Sequence, residues 1–128
     1  MEAEYTPTVS AWNLALRFVL EVVGVIGLGL WGWHSAGGWL RYVLSFVVPV
    51  AAMVAWGTFN VRHDPTRSGK APVPVPGVVR LLLELAVFGA GATAWMFAWN
   101  LTAGVVFAGC VAFQYATSWK RVVWLVRQ

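Results

Sequence analysis

The residues of this sequence that could carry out chemistry are two Arg/Glu pairs inside apolar segments. Arg17 precedes Glu21 by four residues in the first segment, and Arg80 precedes Glu84 by the same spacing in a later one. Ionised side chains are costly in hydrocarbon and often mark functional sites there. Two carboxyl groups in unlike surroundings, one desolvated and one beside an arginine, can serve as an acid and a base. We therefore predict that Glu21 and Glu84 are paired catalytic carboxylates.

Other polar and aromatic side chains are expected at the same depth as these pairs. Asn13 repeats at four-residue spacing with Arg17 and Glu21, so the three share one helix face. Gln114, Thr117 and Arg121 form a second polar face, and lipid offers neither face a partner. The predicted ligand-binding residues are Asn13, Arg17, Arg80, Trp56, Met53, Gln114 and Tyr115.

A purely structural role for these residues is the open alternative. The two Arg/Glu pairs cancel in charge, and arginine–carboxylate contacts can hold helices together with well-aimed bidentate bonds. Buried ion pairs are nevertheless weak evidence for stability, so the pattern favours neither role decisively. Gln114 and Tyr115 could equally bind a ligand or satisfy the Arg/Glu groups.

Composition indicates a membrane protein. Of the 128 residues, 59% are hydrophobic and 11% are charged, with a mean hydropathy of +0.69. Soluble domains carry about 25% charged residues. The net charge of +4 does not lie on a basic stripe, so we expect no nucleic-acid partner, and anionic lipid headgroups are the ordinary partner for such charge.

No motif in the sequence indicates a metal or a cofactor. The chain has one cysteine and two histidines that are far apart, which gives no support to a zinc site. Glycine-rich nucleotide-binding motifs and nucleophile elbows are also absent from the sequence. We therefore expect any reaction here to be independent of cofactors.

Four long apolar stretches predict an all-α protein, with four transmembrane helices in an antiparallel bundle. About 20 helical residues cross ~30 Å of hydrocarbon. The predicted spans are about 11–33, 39–60, 77–99 and 101–123, in a single domain over 1–128. A proline-rich loop over 61–76 and the C-terminal end hold most basic residues. The positive-inside rule then predicts a plasma (inner) membrane protein with this loop and both termini in the cytoplasm.

An internal repeat is suggested by the two Arg-x-x-x-Glu motifs. One offset of 63 residues relates both positions, and each motif lies near the start of an odd-numbered span. Each of these spans is followed by a short turn and a returning span. The pattern predicts two helical hairpins with approximate two-fold symmetry. Chance reuse of a short motif is the alternative.

The order of several polar and small residues also resembles a known family. The relevant positions are Arg17-x-x-x-Glu21, Trp31-Gly32, Pro49 with Trp56-Gly57-x-Phe59, the proline-rich loop, Arg80-Leu-Leu-Leu-Glu84 and Phe88-Gly89. Over about residues 13–90 the chain resembles the YrdB family of small bacterial four-helix membrane proteins. The resemblance implies the fold and the importance of the Arg/Glu positions. It implies no activity.

Three functions are compatible with this pattern. The first is binding or converting a lipophilic small molecule or membrane lipid, by isomerisation, epoxide opening or cyclisation with the two glutamates as acid and base. The second is proton-coupled transport of a small solute, for which four helices would have to act as a homodimer. The third is a structural or interaction subunit of a membrane complex. The sequence does not choose a substrate.

Overall fold

Five helices and one short pair of strands make up the computed structural model, which describes residues 7–66 and 71–128. The helices are α1 (Ala11–Ser35), α2 (Gly38–Thr58), α3 (Gly77–Ala98), α4 (Leu101–Thr117) and α5 (Trp119–Val126). Strand β1 (Phe59–Asn60) pairs in parallel with β2 (Val73–Pro74). The predicted helical class is therefore confirmed. Residues 67–70 of the predicted loop, with Arg67 and Lys70, lie outside the described residues.

Three helices, α1, α2 and α3, are long and apolar enough to cross a membrane, and a fourth span results if α4 and α5 are taken together. The first three begin and end within two residues of the predicted spans.

Local chemistry explains the turns between them. Gly38, the first residue of α2, has a φ of +62°, which a glycine adopts without strain. The Asn100 side chain caps α4 by accepting a bond from the Ala103 amide at 2.8 Å.

The predicted fourth span, about 101–123, comprises two helices that meet at an angle of 77°. The Thr117 hydroxyl donates to the carbonyl of Phe113 at 2.9 Å, and the Ser118 hydroxyl donates to that of Gln114 at 2.9 Å. Such bonds from Ser and Thr back to the preceding turn compete with the helix ladder and favour bending. The chain therefore turns at Ser118 and α5 packs back towards the start of α3.

A small apolar cluster holds α5 in this position. Leu125 is fully buried and packs with Trp124 and with Val61 from the segment after β1, beside the half-buried Leu81. Gly77, at the start of α3, lies against the Leu125 carbonyl oxygen, which a Cβ at this position would overlap. The absence of a side chain at Gly77 thus permits the close approach of α5 to α3.

Helices α1 and α3 form the centre of the bundle, while α2 packs chiefly on α1, and α4 chiefly on α3. The central pair is close, because a Cβ added to Gly91 would lie 3.2 Å from the Gly24 Cα. The main core contains Leu20, Trp56, Phe88, Ala92, Phe107, Val111, Tyr115 and Val122. In α2 only Pro49 and Trp56 are buried, so most of its apolar surface is exposed.

Candidate functional site

Glu84 is the centre of a buried network of charged groups. Its Oε2 lies 2.8 Å from Arg80 Nε, 2.9 Å from Arg17 Nη2 and 2.8 Å from Arg121 Nη2. Its Oε1 accepts bonds from the Tyr115 hydroxyl at 2.6 Å and from Arg121 Nη1 at 3.0 Å. Glu84 and the three arginines are almost completely buried. This single carboxylate therefore connects α1, α3, α4 and α5.

Arg121 links this network to the segment that follows β1. Its Nε donates to Asp64 Oδ1 at 3.0 Å and its Nη2 to Asp64 Oδ2 at 2.5 Å, a bidentate arrangement. Asp64 Oδ1 also accepts bonds from the amide and hydroxyl of Thr66, at 3.0 and 2.9 Å. Burial of Asp64 acts to raise its pKa, but the bonds and charge of Arg121 outweigh it and hold that pKa below the usual 3.8.

Arg80 joins the network to the C-terminal end of α2. Its Nη1 donates to the carbonyl oxygens of Trp56 at 2.6 Å and Phe59 at 2.8 Å, which are free of helical partners at this helix end. The guanidinium carbons of Arg80 and Arg17 lie 4.6 and 5.2 Å from the Trp56 ring centroid. Trp56 is thus in cation–π contact with two arginines.

Asn13 and Gln114 form a separate buried pair of amides. Gln114 Nε2 donates to Asn13 Oδ1 at 2.7 Å, and Asn13 Nδ2 donates to the Thr117 hydroxyl at 2.6 Å. Both side chains are almost fully buried. This pair joins the start of α1 to the end of α4, and it leaves Gln114 Oε1 without a hydrogen-bond partner among the described residues.

A groove of about 360 Å³ lies between α1 and α2 and reaches Val87 and Phe88 of α3. Its walls are mostly apolar. Among the described residues, Glu21 is the one charged side chain that lines the groove, and it is 25% exposed. Met53 and Trp56 line the same groove. Glu84 does not.

Arg17 connects the groove to the buried network. Its Nε lies 3.5 Å from Glu21 Oε1, and its Nη2 lies 2.9 Å from Glu84 Oε2. These are ion-pair distances, but neither contact has the angles of a hydrogen bond to a described acceptor. Arg17 therefore pairs with a carboxylate of its own helix and, more closely, with one across the bundle.

The predicted site residues thus separate into three groups. Glu21, Met53 and Trp56 line the groove. Arg17, Arg80, Glu84 and Tyr115 belong to the charged network, and Asn13 pairs with Gln114. The two predicted catalytic carboxylates do not share one cavity, since Arg17 stands between them.

Two members of the network were not among the predicted site residues, namely Asp64 and Arg121. The sequence did contain an indication for Arg121, because its spacing from Gln114 and Thr117 places it on the polar face of the fourth span. The sequence contained no such indication for Asp64, because a single aspartate in a polar loop is ordinarily solvated. The described residues hold no group of three His, Cys, Asp or Glu side chains that could bind a metal ion.

Known proteins provide a family for this chain. A family model described as a protein of unknown function, DUF2568, matches residues 15–112. The uncharacterized protein YrdB of Bacillus subtilis (strain 168) is 40% identical over 116 residues, which cover 91% of this chain and 94% of that protein. No solved structure gives a significant match. The resemblance predicted from the Arg/Glu positions is confirmed: the chain belongs to the DUF2568 family and is a relative of YrdB.

Proposed function

We propose that this protein spans a membrane four times and binds a lipophilic small molecule in the groove between α1 and α2. The observation that carries the proposal is the groove itself, in which apolar walls are combined with one carboxylate, that of Glu21. Ligand sites of about 300–1,000 Å³ are typically apolar with a few placed polar groups, which is the composition seen here.

The exposed surface supports the membrane part of the proposal. Large apolar side chains are exposed along all four long helices, and on α2 they include Trp39, Tyr42, Phe46, Val50, Met53 and Val54. Soluble monomers rarely expose continuous apolar patches beyond a few hundred Å². In the proposed arrangement α4 and α5 form the fourth, bent span, and the hairpins α1–α2 and α3–α4 are related by an approximate two-fold axis. The charged network then lies near the cytoplasmic face.

The groove is accessible from the surface that would face lipid. Phe18, Ile26 and Met53 line it and are each at least 50% exposed, as expected if they form an opening at the bundle surface. A hydrocarbon chain could therefore enter sideways from the bilayer without first crossing water. This entry suits a ligand that is dissolved in the membrane.

Glu21 is the carboxylate that we propose contacts the ligand. Glu84 faces three guanidinium groups and a phenol, and a carboxylate has about four lone-pair sites. It therefore has little capacity left for a proton from a ligand. The paired acid–base mechanism stays a prediction, and the proposal is limited to binding.

The test is photo-crosslinking with a C18 chain that carries a diazirine, on purified protein in detergent. We expect labelled peptides from the groove-facing parts of α1 and α2. Ala52→Phe places a ring at a groove-lining position and should reduce this labelling about tenfold or more. The matched control is Ala51→Phe at the neighbouring exposed position, which should label as wild type. Labelling spread evenly over the exposed helices, with no effect of Ala52→Phe, would contradict the proposal.

A further inference from the structure

The side of α5 that faces away from the bundle carries apolar and basic side chains together. Trp119 is 62% exposed and Val126 is 51% exposed, and Lys120 and Arg127 are also exposed. Val123 is half-buried between them. At 3.6 residues per turn, these five positions occupy about one third of the helix circumference, and we call them the outer face of α5. The other side of the helix is buried against the protein.

The outer face of α5 has an apolar edge and a basic edge. In order around the helix, its residues are Val126, Trp119, Val123, Arg127 and Lys120. The apolar edge adjoins Val122, which belongs to the main core, and the basic edge adjoins Trp124, which packs on Val61 after β1. Helices that lie in a membrane interface have this composition, with tryptophan and aliphatic residues towards the acyl chains and basic residues towards the headgroups.

The bend at Ser118 gives α5 the direction that an interfacial helix requires. Helix α4 has 17 residues and therefore covers about 25 Å, which is most of the ~30 Å of hydrocarbon. Because α5 meets α4 at 77°, it lies nearly parallel to the membrane plane when α4 crosses the membrane. Arg121 fixes this direction from inside the protein, since it pairs with Asp64 and Glu84.

The basic edge carries charge that the described part of the protein does not compensate. Among the described residues, no ion pair includes Lys120 or Arg127. The sequence contains no aspartate or glutamate after Glu84. Arg62 is also exposed and follows Val61, which packs on α5, so it adds a third positive charge beside this helix. Basic residues next to a membrane span attract anionic headgroups, and the cytoplasmic leaflet, which the proposed arrangement places at this end, is anionic.

We propose that α5 lies in the membrane interface and that its basic edge, together with Arg62, binds the headgroups of anionic phospholipids. Trp119 and the two valines enter the boundary with the acyl chains, while Lys120 and Arg127 extend to the phosphate groups. This inference rests on the membrane part of the proposed function and not on the groove between α1 and α2.

The first experiment measures the depth of α5 in vesicles of phosphatidylcholine and phosphatidylglycerol. Cys110 is exposed, so Cys110→Ala is the background for all variants. Trp119→Cys and Val126→Cys, at opposite ends of α5, each carry a bimane fluorophore. We expect both to be quenched more by a nitroxide near the lipid headgroup than by one near the chain end, and to a similar extent. A helix that continued across the membrane would instead change depth by about 10 Å between these positions.

A control for depth comes from α2. Val47 lies near the middle of this helix and is 49% exposed. Bimane on Val47→Cys should be quenched more by the nitroxide near the chain end, because this position faces the centre of the bilayer in the proposed arrangement. The control therefore tests the membrane location of the protein separately from the position of α5.

The second experiment measures the preference for anionic lipid. The same shallow nitroxide is placed on phosphatidylglycerol or on phosphatidylcholine, and bimane on Val126→Cys is the reporter. Phosphatidylglycerol should be preferred about tenfold or more, and Lys120→Gln or Arg127→Gln alone should lower this preference about fivefold. Added salt should lower it as well. Arg41→Gln removes the same single charge at the opposite end of the bundle, so it is the matched control and should leave the preference unchanged.

The outcomes separate this inference from the proposed function. A steady change of depth along α5 overturns it, and so does the absence of quenching at both ends of α5, which would leave the outer face to water or to an acidic protein partner. Equal quenching by the two lipids, or no effect of the α5 substitutions, overturns the binding of anionic headgroups. If bimane at Val47 is not quenched either, the proposed membrane location itself fails. The expected depths and lipid preference support both.

Discussion

At the scale of residues, the carboxylates of Glu84 and Glu21 differ in the number of buried charges that they contact, although both belong to an Arg-x-x-x-Glu motif. The Glu84 carboxylate compensates the charge of three buried guanidinium groups and accepts a hydrogen bond from the Tyr115 hydroxyl. The Glu21 side chain is 25% exposed, and its Oε1 lies 3.5 Å from Arg17 Nε. Removing one partner from a buried ion pair leaves an uncompensated charge, which costs far more than the intact pair contributes. The contacts of Glu84 therefore predict a larger contribution to stability than those of Glu21.

The variants Glu84→Gln and Glu21→Gln test this difference directly. Glu84→Gln should lower the free energy of unfolding by about 3–5 kcal/mol, because it leaves buried arginines without their anion. Glu21→Gln should cost less than Glu84→Gln, because the Glu21 side chain is 25% exposed and its contact with Arg17 is longer, at 3.5 Å. Thermal unfolding of both variants in the same detergent measures the two effects. Equal losses, or a larger loss for Glu21→Gln, would contradict the assignment of roles.

At this scale, the sequence predicted which residues share a helix face but not which ion pairs form between helices. Helical spacing placed Asn13, Arg17 and Glu21 on one face, because positions within a helix have a fixed rotation. It could not choose between Glu21 and Glu84 as the partner of Arg17, since the rotation of one helix against another depends on packing across the bundle. Arg17 contacts both carboxylates, a result that only the packing of α1 on α3 determines.

At the scale of elements, α5 is held at its angle by an ion pair as well as by apolar packing. Arg121 bonds both Asp64 and Glu84, so it joins α5 to the segment after β1 and to α3. Leu125 and Trp124 pack on the same side. The sequence predicted three helices well, because each is an apolar stretch of spanning length with a clear turn at its end. It missed the bend at Ser118, because apolar residues resume after Lys120 and Arg121 and continue to Val126.

The contribution of Asp64 to this arrangement should depend on pH. The folded protein holds the pKa of Asp64 below 3.8, so its stabilising effect is fully present above that value and is lost as the pH falls through the lowered pKa. At neutral pH, Asp64→Asn should cost about 2 kcal/mol, typical of bonds to charged groups. The difference in melting temperature between wild type and Asp64→Asn should remain constant from pH 6 to about 4.5 and shrink below about 3.8. The subtraction removes effects of other carboxylates. A difference that persists unchanged to pH 2.5 would contradict this account.

At the scale of the whole molecule, the distribution of exposed charge gives the bundle a direction. Arg62, Lys120 and Arg127 are exposed at the end that holds the charged network. At the other end Arg41 lies over the Trp33 ring, with its guanidinium carbon 4.4 Å from the ring centroid. Basic residues accumulate in cytoplasmic segments of membrane proteins. The charged network and α5 are then expected on the cytoplasmic side.

Fusions to alkaline phosphatase test this direction, because that enzyme needs disulfides that form outside the cytoplasm. A fusion after Gln128 should be inactive, and an insertion after Gly37, in the exposed turn between α1 and α2, should be active. Gly37 suits the insertion, because a Cβ there would meet no atom within 4 Å. Green fluorescent protein at Gln128 should be fluorescent, which shows that the inactive phosphatase fusion was nevertheless made. An active phosphatase at Gln128 would place the charged network on the outer side, and the groove would then draw its lipid from the opposite leaflet.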